Sequence, residues 1–100
     1  MNSNRKRKFL EWISITTDIY IYFHNVPVLA CPNCHKLGID FQFIGDLQTK
    51  IGYMAIWCPF CLQGIHLSRV HIPDKTQALT FNTSSEEISK RIPNFTHVKP

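Results

Sequence analysis

Two short motifs, Cys31-Pro32-Asn33-Cys34 and Cys58-Pro59-Phe60-Cys61, contain all four cysteines of the chain, and 23 residues lie between them. A C-x2-C turn places two sulfurs on one side of a tight bend, and two such turns brought together offer four sulfurs to one ion. Proline after the first cysteine fixes one backbone angle in each turn and lowers the entropy of assembling it. The pattern predicts a four-thiolate site with Cys31, Cys34, Cys58 and Cys61 as ligands, and one structural Zn²⁺ as the ion. Such an ion contributes ~10–16 kcal/mol at neutral pH, on the scale of the ~5–15 kcal/mol net stability of a whole domain. A chain of 100 residues has limited surface to bury, so a contribution of that size matters.

The rest of the composition is that of one ordinary globular domain, 44% apolar and 18% charged, which argues against wholesale disorder. No secretory core of about 7–15 apolar residues follows the basic start. The unbroken apolar runs, Ile19 to Phe23 and Val26 to Ala30, are far short of the ~20 residues of a membrane-spanning helix. A cytoplasmic protein is expected, and in a reducing compartment paired cysteines favour metal ligation or redox chemistry over disulfides.

Residues 1–8 read as a flexible basic arm, and residues 9–100 as a single domain. Phe9, Leu10, Trp12 and Ile13 fall at helical spacings and predict a helix of about two turns. Asp18 to His24 is dense in aromatic and β-branched residues and predicts a strand that Pro27 ends. Ile39, Phe41 and Phe43 alternate with polar residues, Gly45 to Thr49 makes a turn, and Ile51, Tyr53, Ala55 and Trp57 alternate again, the pattern of a β-hairpin. By parity Phe41, Phe43, Tyr53 and Trp57 are expected on one face, and core is the favoured reading of that face over an exposed stacking platform. A third strand runs from Ile65 to Ile72, and its alternation slips between Leu67 and Val70, which a bulge near Ser68 explains. Ser84-Ser85-Glu86-Glu87 offers a capping box for a C-terminal helix that Ile88, Ile92 and Phe95 would dock and Pro93 would end.

Residues 30–72, with two CPxC knuckles flanking a hairpin and a third strand after it, resemble a zinc ribbon. The resemblance implies a β-rich α+β fold: a three-stranded antiparallel zinc ribbon, here extended by an N-terminal helix and strand and a short C-terminal helix. Zinc ribbons occur in transcription factors, ribosomal proteins, primase and topoisomerase accessory modules and many small bacterial proteins. His35 and Leu62 stand where such knuckles usually have glycine, a departure expected to remove some sulfur-directed backbone N–H groups. Asp46 at the hairpin tip lacks the acidic neighbour that transcript-cleaving ribbons carry, so that activity is not implied.

Two other chemistries compete for the same cysteines. Trp57-Cys58-Pro59-Phe60-Cys61 resembles a thioredoxin or glutaredoxin motif, but Gly64 and the β-rich Ile65 to Ile72 leave no room for the helix that activates such a cysteine. A rubredoxin-like iron electron carrier uses the same four-cysteine geometry, but His35, Leu62 and the basic balance of the chain disfavour it. The five histidines read as polar surface residues, because four thiolates already complete a closed structural site. No nucleophile elbow, phosphate-binding glycine loop or carboxylate pair is present, so the chain is not expected to be an enzyme or to take a small-molecule substrate.

The net charge of +4 has its densest part at Arg5, Lys6, Arg7 and Lys8, with Lys50 and Arg69 among the cations spread behind it. These residues are the candidates for contact with nucleic acid, the first choice of partner, or with an acidic protein surface. His66, Arg69 and His71 would form a basic patch on the third strand. The arm followed by Phe9, Leu10, Trp12 and Ile13 also has the chemistry of an interfacial anchor, but is too short to bind a membrane strongly alone. Partner, sequence preference and oligomeric state are not encoded in any motif.

Overall fold

Trp12, Ile15 and Ile19 recur at helical steps, and the helix that carries them is far longer than the local pattern near Phe9 suggested. A computed structural model describes residues 2–21, 29–74 and 78–99. Helix α1 spans Asn2–Ile21, a length of about 30 Å. Residues 2–8 are its first two turns rather than a separate arm, and residues 18–21 are helical rather than the start of a strand. The remainder of the expected strand, and Pro27, fall outside the described residues. The physical reason is burial: Trp12, Ile15, Thr16 and Ile19 lie on one stripe and are all nearly or fully buried. Strand alternation would have broken that stripe, and packing outweighs the β-propensity of an Ile-Tyr-Ile run.

Five strands follow, β1 (Asp40–Asp46), β2 (Ile51–Trp57), β3 (Gln63–His71), β4 (Ala78–Thr80) and β5 (Thr96–His97), with helix α2 (Ser85–Arg91) between the last two. They form one mixed sheet in the order β4-β1-β2-β3-β5. The centre is the expected antiparallel meander β1-β2-β3. The outer strands were not anticipated, and both pair in parallel, β4 with β1 and β5 with β3. At two and three residues they are too short to produce a periodic signal in sequence.

The hairpin corrects the parity argument. Asp46 pairs with Ile51, so residues 47–50 form the loop. An even-length loop pairs odd positions on one strand with even positions on the next, as in Phe43 with Met54 and Phe41 with Ile56. Phe41 and Phe43 therefore share a face with Met54, Ile56, Ile65 and Leu67, whereas Tyr53 and Trp57 lie on the opposite face with Ile44 and Gln42. The first face is the core. Phe43, Met54, Ile56 and Ile65 pack there against Trp12, Ile15 and Ile19 of α1, and Tyr20 meets Phe43 edge to face at 5.7 Å. The Tyr20 hydroxyl also donates to the His71 carbonyl at 2.8 Å, which fixes the far end of the helix over β3.

The expected bulge is present. Gly52 pairs with Val70 but Tyr53 pairs with Ser68, so Arg69 is the extra residue, held at φ 56°. This slip keeps Val70 on the core side after Leu67.

The Ser84 half of the expected capping box forms, with the Glu87 N–H donating to Ser84 Oγ at 3.2 Å. Ile88, Ile92 and Phe95 are only half-buried, and no residue of α2 is fully buried. What seats this helix is Arg91. Its guanidinium donates to both carboxylate oxygens of Asp40 (2.9 and 3.0 Å), to Gln42 Oε1 (2.9 Å) and to the Phe41 carbonyl (2.9 Å), and lies 5.3 Å from the Trp57 ring. A planar fork that saturates this many acceptors is a role lysine cannot fill. Arg91→Ala is expected to lower the unfolding free energy in urea by about 1–2 kcal/mol, the value of charge-assisted hydrogen bonds discounted for partial exposure. Arg91→Lys should recover little of that loss.

Candidate metal centre

Each knuckle is built by the same backbone bonds. In the first, the Cys31 N–H donates to the Lys36 carbonyl (2.9 Å) and the His35 N–H to the Cys31 carbonyl (2.8 Å). In the second, the Cys58 N–H donates to the Gln63 carbonyl and the Leu62 N–H to the Cys58 carbonyl, both at 2.9 Å. The first knuckle precedes β1 and is closed by a bridge between Ala30 and Leu37, while the second joins β2 to β3. Because Asp40 pairs with Trp57, both lie at one end of the meander.

His35 and Leu62 reach φ 68° and 55°, the left-handed region that glycine would occupy without penalty and that costs other residues about 1–2 kcal/mol. The knuckle geometry is thus retained without glycine, and the sulfur-directed N–H groups with it, contrary to the sequence expectation. The Lys36 N–H bonds Cys34 and the Gln63 N–H bonds Cys61, while Cys31 Sγ accepts from the Asn33 and Cys34 N–H groups at 3.3 and 3.4 Å.

The four sulfurs converge. Cys31 and Cys61 are 3.6 Å apart, as are Cys34 and Cys58, and all four lie within 4.8 Å of one another. Tetrahedral ligation with ~2.3 Å metal–sulfur bonds needs sulfurs about 3.8 Å apart, so the cluster fits a metal ion with little adjustment. The first cysteine of each knuckle, Cys31 and Cys58, is fully buried in the core, and the second, Cys34 and Cys61, is half-buried. All four cysteines are free. A four-thiol set suits a soft or borderline ion, and it fills all four positions of a tetrahedral site.

The thiols differ in acidity. The Lys36 N–H, more than any other group, lowers the Cys34 thiol to about 7. Loss of solvation pushes Cys61 up to about 12, and raises Cys31.

Helix α1 braces this end of the sheet through contacts that sequence reasoning missed. Trp12 Nε1 donates to Asn33 Oδ1 at 2.9 Å, and Lys8 Nζ donates to the Pro32 carbonyl. Nothing local marks these pairs, because each links residues more than twenty positions apart.

The predicted partner-binding residues are not gathered into one patch. Arg5 and Lys6 lie in the first turns of α1, and Arg7 follows them, exposed. Lys8 is engaged by Pro32 and stands 3.9 Å from Glu11. Lys50 sits in the hairpin turn at φ 61°, 3.7 Å from Asp74, and Arg69 projects from the bulge on β3, exposed. Among the described residues no helix is long and apolar enough to cross a membrane. No protein-family model, curated protein or solved structure matches the chain.

Metal affinity should fall as the medium is acidified, because an ion entering the site must displace protons from thiols such as Cys31 and Cys61 that hold them strongly. Chelator competition between about pH 8 and pH 6 is expected to show a loss of more than roughly tenfold per pH unit, the mark of more than one displaced proton. A shallower slope would contradict ligation by the full thiol set.

Proposed function

We propose that the chain is a non-catalytic recognition module, held together by one structural Zn²⁺ in a zinc-ribbon-like arrangement, that docks nucleic acid from the cytoplasm. The observation that carries this reading is the four-sulfur cluster seated in the core by Cys31 and Cys58. A closed set of that kind leaves no coordination position for substrate, so its contribution is to stability, and recognition falls to the surface. Zinc is favoured over iron by the basic charge of +4.

Nucleic acid is supported by the distribution of cations. Arg5 and Arg7 lie in the opening turns of α1, which has no acidic residue in its first turn. Cations at the positive end of a helix dipole are unfavourable alone and favourable beside an anion such as a phosphate. Lys8 is better read as a structural residue, given its bond to Pro32.

One observation favours the second reading, a protein-binding regulator or adaptor. Leu37, Phe60 and Leu62 are 60%, 57% and 40% exposed around the knuckles, and Phe60 lies under the Lys36 ammonium at 5.2 Å. Apolar side chains grouped in this way suit a protein contact.

Replacing Arg5, Lys6 and Arg7 together by Gln in the zinc-loaded protein separates the two. For a phosphate-dominated interface, affinity for nucleic acid is expected to fall at least tenfold between ~50 and ~200 mM salt, and the triple variant should flatten that dependence. Unchanged affinity and slope would remove these residues from the interface. Native mass spectrometry of protein purified without added metal should show one zinc per chain, and an iron-loaded, coloured protein would replace the zinc assignment.

A further inference from the structure

The sheet face opposite α1 carries a continuous series of stacked rings that the metal site does not use. Trp57 stacks on Phe95 (6.1 Å between centroids), Phe95 on His97 (4.9 Å), His97 on His66 (6.2 Å), His66 meets Tyr53 tilted at 4.9 Å, and Tyr53 stacks on Phe81 (6.3 Å). Sequence position does not announce the series, because its members come from β2, β3, β5 and two connections. Register assembles it: Ala55 pairs with His66, and Gly64 with His97.

Most of this series is not core. Trp57 is buried beneath Arg91, but His66 and His97 are exposed and Phe81 is 60% exposed. Helix α2 is held at the Asp40 and Trp57 end of the face by Arg91, and Ile44 and Ala55 are also buried on this face. Beside it a groove of about 480 Å³ opens, lined by Ile88 and Ile92 together with Tyr53, His66, Phe95 and His97. This volume is in the range that takes one small planar ligand with its attached sugar.

Cations stand at both ends. A second groove, sharing Tyr53 with the first, is bordered by Phe81 and by Arg69, the exposed residue that the bulge turns outward. Asp46 also borders that groove, but its carboxylate is engaged by the Gln48 and Thr49 N–H groups of the turn. At the other end a cleft sharing His97 is bordered by Lys99, and by Lys8, whose ammonium is already bonded to the Pro32 carbonyl. A row of open rings between cations is the arrangement that binds unpaired bases with phosphates alongside.

We propose that this face binds single-stranded nucleic acid, with bases stacking on Phe95, His97, His66, Tyr53 and Phe81 and the backbone running between Lys99 and Arg69. The proposal rests on the nucleic-acid reading above and gives it a site that shares Arg69 and His66 with the residues the sequence singled out but not the cations of α1. A paired duplex presents no free base faces and should bind more weakly.

The test uses the zinc-loaded full chain and a thymidine oligonucleotide of about twelve nucleotides, a length within the usual site sizes. Backbone NMR shifts on titration should cluster at Tyr53, His66, Phe81, Phe95 and His97. By fluorescence anisotropy, Phe81→Ala and His97→Ala should each weaken binding about tenfold, the loss of one stacking platform, with zinc content and melting temperature retained. Arg69→Asn, which keeps a residue tolerant of the left-handed bulge conformation, should reduce the salt slope by about one. If the oligonucleotide binds but shifts only α1 and the knuckles, and the ring variants bind as the parent does, this face is overturned while the nucleic-acid reading stands. If duplex binds as tightly as single strand and the ring variants are neutral, stacking is likewise overturned. If neither binds at low salt, both the site and the reading fall.

Discussion

The convergence of four sulfurs is the constraint on which the rest of the structure depends. Two turns separated by a whole hairpin must meet, and the meeting closes a loop whose entropic cost only a strong local interaction offsets. The hairpin between them lowers that cost, since pairing of Asp40 with Trp57 already brings the knuckles to one end of the sheet. Sheet and sulfur cluster are therefore mutually supporting. Cys31 and Cys58 belong to the same buried cluster as Trp12, Phe43 and Ile65, so the centre is continuous with the core. Acceptance of left-handed backbone at His35 and Leu62 shows where the local strain resides.

The sheet is held differently on its two faces. On one, α1 buries an apolar stripe against Phe43, Met54 and Ile65 and is tied to the first knuckle by Trp12 and Lys8. On the other, a seven-residue helix with no fully buried side chain is seated by Arg91 on Asp40 and Gln42. On this second face Gln42, Ile44, Ala55 and Trp57 are buried, and the rings of His66, His97 and Phe81 stay exposed beside them.

Features set by short-range chemistry were legible in the sequence. The knuckles, the Ser84 cap and the slip that announced the bulge at Arg69 each depend on a few adjacent residues. Features set by long-range packing were not. Asp18 to Ile21 has strand composition, yet Ile19 completes a helical stripe begun seven residues earlier. The two edge strands were invisible because they are only three and two residues long. Nothing in the sequence sets Arg91 apart from the other cations, since its acceptors at Asp40 and Gln42 are some fifty positions away. For the site, the clustering of the four cysteines was readable and its surroundings were not, because bracing by Trp12 and stacking of His66 with His97 arise only once the chain is folded.

The connection at residues 47–50 looks like the least constrained part of the molecule, with Leu47, Gln48 and Thr49 all facing water. The side chains of Leu47, Gln48 and Thr49 are free to vary, but the residue count of the connection is not. Adding or removing one position would send Phe41 and Phe43 outward and draw Asp40 and Gln42 in, uncoupling the sheet from α1 and Arg91 from its acceptors at a stroke. Tolerance of substitution and intolerance of single insertions should therefore coexist at the same surface bend, whereas changes in steps of two preserve the sidedness of everything downstream.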